Sequence, residues 1–403
     1  MIVKLHMETK KLKQIALDLK AKIESGLKKD GEEIQCLPTY ISPNTTNING
    51  QAVVLDLGGT NYRMARVDFE NGQPVIHPEN GWKRDLSEMK NDGYTQEDLF
   101  KAQADPIGEI KIDTQRGTPL GYCFSYPAKS LANGDAQLLL WTKGVNIEEM
   151  IGKPVGEPLR RYFNEKKQLR FTSIKVINDT VASLFAGLTK PGYDAYIGLI
   201  VGTGTNMAAF MRSDKIDKLD PLHKTGQYIP VNLESGNFHP PHLTIYDEMV
   251  DANSDKKGAQ RFEKAISGMY LGEIFKSAFP QDEFEEKFDA QTLTTILSYP
   301  AIYKEEYVKM ARWLYERSAQ LVAASLAGLI LVLLSHEPSI KRVLLTSEGS
   351  LFWSQNRKDK DYSEIVIEEL HRLLHDFGHD SIRVELLHME NANLIGTAIA
   401  ALS

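Results

Sequence analysis

The hydrophobic and polar positions of the chain change from helical to strand-like periodicity and back several times. Residues 9–27 repeat leucine and isoleucine at helical spacing among lysines, which predicts an amphipathic helix lying on another domain. A connection rich in Ser, Thr, Asn and Gly follows at 42–50. After Thr60, apolar and polar side chains alternate, so this segment is predicted to be a β-hairpin.

The rest of the chain continues this mixture. Its patterns predict strands at 119–126, 136–141, 173–177, 342–346 and 381–388, a second hairpin at 196–211, and helices at 153–167, 181–188, 258–278, 282–297, 302–334, 362–376 and 393–402. Strands that alternate with helices and hairpins indicate an α/β fold.

The two predicted hairpins contain a similar turn. An apolar strand enters a Gly/Thr turn followed by Asn, first in Leu55–Arg63 and again in Ile200–Asn206. Glycines let backbone N–H groups converge on an anion, and threonine hydroxyls add donors. A P-loop or a dinucleotide-binding motif would need glycine spacings that this sequence lacks. One such turn could be purely structural, but two copies predict a duplicated fold that clasps a nucleotide between its halves.

The composition is typical of a soluble globular protein, with 42% hydrophobic and 25% charged residues. At 403 residues the chain is long enough for two domains with substantial cores. A net charge of −7 argues against a nucleic-acid or anionic-membrane partner. Two cysteines, Cys36 and Cys123, cannot form a disulfide framework, which fits a reducing compartment.

The sequence pattern predicts neither a secretory signal nor a membrane span. The chain begins Met1–Lys4 and soon becomes lysine-rich, without the apolar core that a signal requires. The longest apolar stretch, Leu321–Leu334, is interrupted by Ser325 and Gly328 and is shorter than the ~20 residues of a span. We therefore expect a buried helix there and a cytoplasmic protein.

Asp179 is the candidate catalytic residue. It follows the strand-like segment 173–177, in the run Asn178-Asp179-Thr180, and precedes a helix of small residues. α/β folds place ligands at such strand ends. A carboxylate held there by the helix dipole can take a proton from a substrate hydroxyl. The alternative is a helix N-cap, because Asp is among the preferred capping residues.

Short polar or acidic side chains recur in or beside apolar, glycine-bearing segments, namely Ser125, Thr142, Asn178, Asn206, Glu234 and Glu263. Each sugar hydroxyl donates and accepts hydrogen bonds, and a buried partner left unpaired costs about 1–3 kcal/mol. Their recurrence beside two phosphate turns predicts a polyhydroxyl ligand, although each residue alone fits a satisfied surface or turn position. Lys143 could bring positive charge to a transferring phosphoryl group. The alternative is an exposed lysine.

At these residues the chain resembles the hexokinase family, in a bacterial-type short form. These are the ATP:hexose 6-phosphotransferases of the actin-like ATPase superfamily. The similarity runs from Leu37 to about residue 355 and is strongest in Leu55–Arg63, Phe124–Pro127, Trp141–Gly144, Ile177–Thr180, Leu199–Asn206, Gln260–Lys264 and Ile266–Glu273. The resemblance implies a two-domain actin-like ATPase (ribonuclease H-like) fold with a central cleft. The small domain would be 48–177 plus 391–403, and the large domain 1–47 plus 178–390.

The resemblance also implies a role for each matching residue. Asp179 would be the general base toward the sugar 6-hydroxyl, and Lys143 would face the transferred phosphate. The hexose ligands would be Ser125, Thr142, Lys143, Asn178, Asp179, Asn206, Glu234 and Glu263. The first phosphate turn would be lined by Gly58, Gly59, Thr60, Asn61 and Arg63, and the second by Gly202 and Thr203. Gly349 and Ser350 would approach the nucleoside, and Asp56 would orient Mg²⁺ through water.

The chain departs from the family pattern at several positions. Ser235 follows Glu234 where Trp is usual, Glu348 stands where Asp is usual, and the stretch between Phe279 and Tyr303 is shorter than in the eukaryotic enzymes. Residues 392–396 replace Gly-Ser-Gly-Lys/Arg-Gly, which removes hydrogen-bonding groups expected near the adenine. We therefore expect the purine to be held mainly by apolar contact and by the backbone near Gly349.

The implied function is phosphorylation of a hexose, the first step of glycolysis, with ATP and Mg²⁺ as cofactors. Glucose would be the leading substrate and mannose the second. The partners would be the hexose and no nucleic acid or membrane, and the protein would be a monomer or homodimer. Two other interpretations stay open. One is a sugar-binding regulator that has lost catalysis, and the other is a phosphoryl-transfer enzyme of the same superfamily with a different acceptor.

Overall fold

The fold is taken from a computed structural model, which describes residues 7–43, 48–110, 112, 117–356 and 359–403. Met1–Lys4 and part of the predicted connection at 42–50 lie outside these residues. The helices are α1 Thr9–Lys28, α2 Gln96–Ala104, α3 Gly156–Lys166, α4 Asp179–Ala186, α5 Ile245–Asn253, α6 Arg261–Ile266, α7 Gly268–Ala278, α8 Ala290–Ser298, α9 Glu305–His336, α10 Tyr362–Asp376 and α11 Ala392–Leu402. The strands are β1 Leu37–Pro38, β2 Gly50–Gly58, β3 Asn61–Glu70, β4 Gln73–Asp85, β5 Thr118–Phe124, β6 Ala128–Ser130, β7 Ala136–Leu138, β8 Phe171–Ile177, β9 Ala195–Val201, β10 Thr205–Arg212, β11 Tyr228–Asn232, β12 Arg342–Glu348 and β13 Arg383–Leu387.

Two sheets are built on one plan. In the first sheet, of order β4-β3-β2-β5-β8, an antiparallel β2-β3-β4 meander is extended beyond β2 by the parallel strands β5 and β8. In the second, β9, β10 and β11 form the meander, and β12 and β13 are the parallel strands beyond β9. The short β1 pairs with β11 at the far edge. The predicted duplication of an α/β unit is therefore present.

Helices α4 and α11 lie between the two sheets. α11 packs on β2, β5 and β8 of the first sheet, while α4 packs on β9 and β10 of the second and against α11. Their small apolar side chains share one core with residues of β2, β3 and β10. The first sheet uses strands within residues 50–177, and α11 covers it, which agrees with the predicted domain division. That division remains a prediction.

The other face of the second sheet is covered by a helical layer. α1 packs along α9, where a Cβ on Gly328 would lie 2.6 Å from the carbonyl oxygen of Ala16. Among the described residues α9 is the one helix long and apolar enough to cross a membrane, and 94% of its most apolar window is buried within the fold. The predicted amphipathic helix at 9–27 and the predicted buried helix at 321–334 are confirmed.

Several element boundaries differ from the prediction. The helix expected at 258–278 is two helices, because the backbone at Ser267 is extended with ψ of 155°. The helix expected at 282–297 begins only at Ala290, and the strand expected at 136–141 ends at Leu138. β4 was not predicted, because an edge strand with partly exposed residues along its length lacks a clear apolar alternation. β11, α2 and α5 were also missed.

We expect Gly396→Ala to lower the melting temperature by several degrees. A Cβ there would lie 1.8 Å from the carbonyl oxygen of Ala182, so α11 would have to move away from α4. Overpacking of this kind typically costs about 1–3 kcal/mol. Gly108→Ala is the matched control, since its Cβ would meet no atom within 4 Å. Equal melting temperatures of the two variants in thermal unfolding would contradict the close helix packing.

Candidate active site

The first Gly/Thr turn joins β2 to β3. Gly58 pairs with Asn61, so Gly59 and Thr60 form the turn itself. Gly59 has φ of 62°, a left-handed conformation that favours glycine. Its carbonyl oxygen accepts a hydrogen bond from the Tyr126 hydroxyl, which holds the turn against the segment after β5. The predicted hairpin is confirmed, and its contact with phosphate stays a prediction.

Asp56 is buried on β2 just before this turn. Arg63 donates from Nε and Nη2 to Asp56 Oδ2, at 2.9 and 2.5 Å. It also donates from Nη1 to Asn391 Oδ1 at 3.1 Å, and Asn391 in turn donates to Asn80 Oδ1 at 2.7 Å. Burial raises the pKa of the Asp56 carboxyl, and the Arg63 guanidinium opposes that rise. The two asparagines were not predicted, because sequence spacing gives no sign of contacts between such distant segments.

The second turn joins β9 to β10 and packs against the end of β12. The Gly202 N–H donates to the Gly204 carbonyl oxygen at 2.9 Å. A Cβ on Gly202 would lie 3.2 Å from Gly349 Cα, and one on Gly349 would lie 2.2 Å from the Val201 carbonyl oxygen. Gly349, with φ of 114°, therefore requires glycine, and a Cβ on Gly202 would make a tight contact. This close approach brings the predicted second phosphate turn and the predicted nucleoside segment together.

A cavity of about 750 Å³ opens beside the second turn. Three predicted residues, Gly202, Thr203 and Ser350, form part of its wall. The wall also includes residues of α7 and α8, the segment 286–289 between them, and residues that follow β12. Gln291 and Thr294 of α8 were not predicted as site residues. The volume is within the usual 300–1,000 Å³ of small-molecule sites.

Residues 392–396 are not part of this cavity wall. They begin α11, where Ala392, Leu394 and Ile395 are buried between the sheets. The preceding Asn391 contacts Arg63 beside the first turn instead. The expectation that this altered segment lies near the base stays a prediction. Its apolar side chains pack α11 between the sheets, and the Asn393 N–H donates to Glu348, next to Gly349.

Asp179 is the first residue of α4. Asn178 is the N-cap, and its Oδ1 accepts a hydrogen bond from the Thr180 N–H at 2.9 Å. Asp179 Oδ1 accepts from the same N–H at 2.8 Å. Among the described residues Asp179 Oδ2 has no hydrogen-bond partner. The capping alternative thus applies mainly to Asn178, and one carboxylate oxygen of Asp179 is left for a ligand.

Lys143 is exposed, as its alternative interpretation expected, but its amine is held in place. Its Nζ donates to the Ser125 carbonyl oxygen at 2.9 Å and lies 5.2 Å from the centre of the Tyr126 ring. The side chain of Ser125 lies beside the first turn, since a Cβ on Gly58 would be 3.9 Å from its Oγ. Thr142, next to Lys143, is half-buried. The predicted hexose residues of the first half therefore adjoin the first phosphate turn.

Asn206 and Glu234 are connected through Asn232. Asn206 Oδ1 accepts the N–H groups of Met207 and Ser235, at 2.8 and 3.1 Å. Asn206 Nδ2 donates to Asn232 Oδ1, and Asn232 Nδ2 donates to Glu234 Oε1, both at 2.7 Å. Burial raises the pKa of Glu234. Asn232 was not predicted as a site residue, although its place two residues before Glu234 was a signal.

Glu263, one of the predicted hexose ligands, is hydrogen-bonded beside the second turn. Its Oε2 accepts the Thr205 N–H at 2.9 Å, at the start of β10. A Cβ on Gly204 would lie 2.6 Å from that oxygen, so a larger residue there would push the Glu263 carboxylate aside. Burial raises the pKa of Glu263, and the hydrogen bond from Thr205 lowers it.

Glu348 adds a fourth buried carboxyl group with a raised pKa. It ends β12 and accepts a hydrogen bond from the Asn393 N–H. Burial and then the Asp56 charge raise the pKa of Glu348 to about 7, Arg63 opposes the rise, and Asp179 adds to it. Glu348 was noted in the sequence only as a departure from the family pattern, and this role was not predicted.

The fold is that of the actin-like ATPases, as two solved structures show. A hexokinase from Schistosoma mansoni complexed with glucose superposes with a TM-score of 0.78 at 24% identity, over 99% of this chain and 96% of that one. A further hexokinase crystal structure gives a TM-score of 0.81 at 24% identity, over 100% and 97%. The predicted fold class is confirmed.

Sequence comparison then identifies the family. Residues 1–188 and 196–281 match two family models, both described as hexokinase. Hexokinase-1 of Arabidopsis thaliana is 28% identical over 98% of this chain and 88% of its own length. Hexokinase-2 of Solanum tuberosum is 36% identical over 66% of this chain, an alignment that spans 55% of the potato protein. The chain belongs to the hexokinase family.

We expect Glu348 to make stability fall as the pH rises. Its folded-state pKa of about 7 is above the ordinary value of 4.5, so between these values the folded protein binds more protons than the unfolded chain. Stability therefore declines from about pH 4.5 and levels off above about pH 7, a loss of roughly 3 kcal/mol. Glu348→Gln should remove this part of the decline in urea unfolding measured from pH 5 to 8.

The exposed Glu97 provides the control for this measurement. Glu97→Gln should leave the wild-type pH dependence unchanged. A decline in Glu348→Gln as steep as that of the wild type would contradict the raised pKa.

Proposed function

We propose that this chain transfers the γ-phosphoryl group of ATP to the 6-hydroxyl of a hexose, with glucose as the leading substrate and mannose as the second. One observation carries this proposal. The carboxylate of Asp179 interacts electrostatically with Asp56 and Glu348, beside the first turn, and with Glu234 of the predicted hexose ligands. It is therefore near both the phosphate and the hexose groups, with Oδ2 available.

In the proposed reaction Asp179 takes the proton of the 6-hydroxyl as that oxygen bonds to the γ-phosphorus. The bond between the γ-phosphorus and the β–γ bridging oxygen breaks, and ADP leaves. Lys143, held at the Ser125 carbonyl, would stabilise the charge on the transferring group. A general base of this kind contributes roughly 10²–10⁴-fold to the rate.

The hydrogen bonds already made by the predicted hexose ligands indicate which of their polar atoms remain available to bind a hexose. Within the described residues, no partner is found for Glu234 Oε2, Glu263 Oε1 or the second N–H of Asn206 Nδ2. Burial raises the pKa of both glutamates, and at Glu263 the charges of Lys143 and two other lysines oppose the rise. Sugar hydroxyls can supply the missing donors.

Mg·ATP fits this site as the donor substrate, and members of the hexokinase family use ATP and Mg²⁺. The described residues contain no group of three or more His, Cys, Asp or Glu that could hold a metal by itself. Mg²⁺ is usually held by one or two carboxylates together with substrate phosphates and water, where it neutralises phosphate charge. Asp56 beside the first turn would orient it through water. The cavity beside Gly202 would take the nucleoside.

The two rival interpretations are less well supported. A sugar-binding regulator would be expected to have lost the base or a phosphate turn, whereas Asp179, Lys143 and both turns are present. An enzyme with another acceptor would not require the connected carboxylate and amide set. A cytoplasmic location is part of the proposal, supported by the two buried free cysteines. A monomer or homodimer remains expected.

A coupled ADP-release assay with ATP over a panel of sugars tests the proposal, and formation of the sugar phosphate measures turnover when GTP or polyphosphate is the donor. We expect ADP release to require a hexose and to be fastest with glucose. Sugar binding without turnover would support the regulator. ADP release that depends on another small molecule would support the third interpretation.

We expect Asp179→Ala to retain hexose binding and to lose turnover by roughly 10²–10⁴-fold. One lost hydrogen bond changes binding far less, by about 1 kcal/mol. Calorimetry with glucose and steady-state kinetics would be compared. Asp361→Ala removes another helix-capping Asp, the N-cap of α10, and should leave turnover unchanged. Near-normal turnover of Asp179→Ala with saturating glucose would leave Asp179 a purely structural residue.

We also expect glucose alone to close the protein. The proposed hexose ligands belong to both halves, with Ser125 and Thr142 on one and Asn206, Glu234 and Glu263 on the other, so the sugar should tie the halves together. Solution scattering should show a smaller radius of gyration, and the melting temperature should rise. An unchanged radius and melting temperature at saturating glucose would mean that the ligand set does not span the cleft.

A further inference from the structure

Tyr126 contacts both of the groups that the proposed reaction places on the transferring phosphate. It lies between β5 and β6 and is only 3% exposed. Its hydroxyl donates to the carbonyl oxygen of Gly59 in the first phosphate turn. The face of its ring lies 5.2 Å from the Nζ of Lys143, within the range of a cation–π interaction.

The ring of Tyr126 is held by its own neighbours. It packs edge-on against Trp141 with ring centres 4.7 Å apart, and against Phe124 at 5.2 Å. Trp141 is fixed in turn, because its indole N–H donates to the Ile147 carbonyl oxygen at 2.9 Å. Because its ring is held by these neighbours, Tyr126 can keep Gly59 and Lys143 in a fixed relative position. A mobile surface tyrosine cannot do this.

Tyr126 supports two backbone turns, one at Gly59 and one at Lys143. Gly59 and Lys143 both have left-handed φ values, 62° and 60°, and Lys143 is followed by Gly144 with φ of 79°. A Cβ on Gly59 would lie 3.6 Å from Lys143 Cδ, so the two segments pass close to each other. Lys143 itself is exposed, and its Nζ donates a hydrogen bond to the Ser125 carbonyl oxygen.

We propose that Tyr126 is a positioning residue that joins the first phosphate turn to Lys143. Its hydroxyl holds the Gly59 carbonyl by a hydrogen bond, and its ring holds the Lys143 ammonium by a cation–π interaction. The inference rests on the proposed function, since it concerns the transfer of the γ-phosphoryl group. Tyr126 takes no part in hexose binding in this proposal, so its loss acts on phosphate transfer and nucleotide binding.

The test is Tyr126→Phe, which keeps the ring beside Lys143 and removes the hydrogen bond to Gly59. We expect kcat to fall about five- to ten-fold and the affinity for Mg·ADP to fall about five-fold, the effect of one hydrogen bond. The dissociation constant for glucose, from calorimetry, should change less than two-fold. Tyr126→Leu also removes the ring face and should lower kcat by a further few-fold.

Tyr62→Phe is the matched control. Tyr62 is a buried tyrosine of the same sheet whose hydroxyl also donates to a backbone carbonyl, that of Gln103 at 2.9 Å. Both variants should lose stability, but only Tyr126→Phe should change kcat and Mg·ADP affinity. A similar small effect of both variants on kcat and Mg·ADP affinity would reduce Tyr126 to a structural residue and overturn the proposal.

A double-mutant cycle shows whether Tyr126 acts through Lys143. In a Lys143→Met background the further fall in kcat from Tyr126→Phe to Tyr126→Leu, which removes the ring face, should shrink to less than two-fold. The same fold-change in both backgrounds would overturn the proposed connection. If the wild-type protein phosphorylates no sugar, the proposed function fails. The Mg·ADP affinities of Tyr126→Phe and Tyr62→Phe then decide the positioning role by themselves.

Discussion

The burial of carboxylates where the two sheets meet is the constraint on which the rest of the site depends. Burial raises the pKa of each of four carboxyl groups, Asp56, Glu234, Glu263 and Glu348. Removing a carboxylate from water is costly unless hydrogen bonds or a cation compensate. Fixed donors compensate in part, for example Arg63 and Cys123 at Asp56, whereas among the described residues no hydrogen-bond partner is found for Oε2 of Glu234 or Oε1 of Glu263. Hydroxyl groups of a sugar and the cation that accompanies a nucleotide would supply the rest.

The duplicated sheets explain why these groups converge. Each sheet carries a hairpin whose turn is glycine-rich, and α4 and α11 lie between the sheets. Asp179 begins α4, so its carboxylate is placed by the helix that contacts both halves. Glu263 and Tyr126 then link each phosphate turn to the sugar residues of its own half, through Thr205 and Gly59 respectively. In the proposed function, sugar and nucleotide recognition would therefore share parts of the backbone.

The features that could be predicted from the sequence are local ones. The hairpins, both turns and the start of α4 follow from glycine, threonine and alternating apolar residues within a few positions. The site contacts that were missed join distant segments, such as Arg63 with Asn391 and Tyr126 with Gly59. Sequence spacing holds no information on such pairs. The helix break at Ser267 was missed because apolar periodicity continues across it.

The central claim is transfer of phosphate to the 6-oxygen of glucose. Incubation of the protein with ATP, Mg²⁺ and glucose labelled with ¹³C at carbon 6, followed by ¹³C and ³¹P NMR, tests it most directly. The account predicts that the labelled carbon becomes coupled to phosphorus as ADP accumulates. Phosphate on a different carbon, or ADP with inorganic phosphate and unchanged glucose, would contradict it.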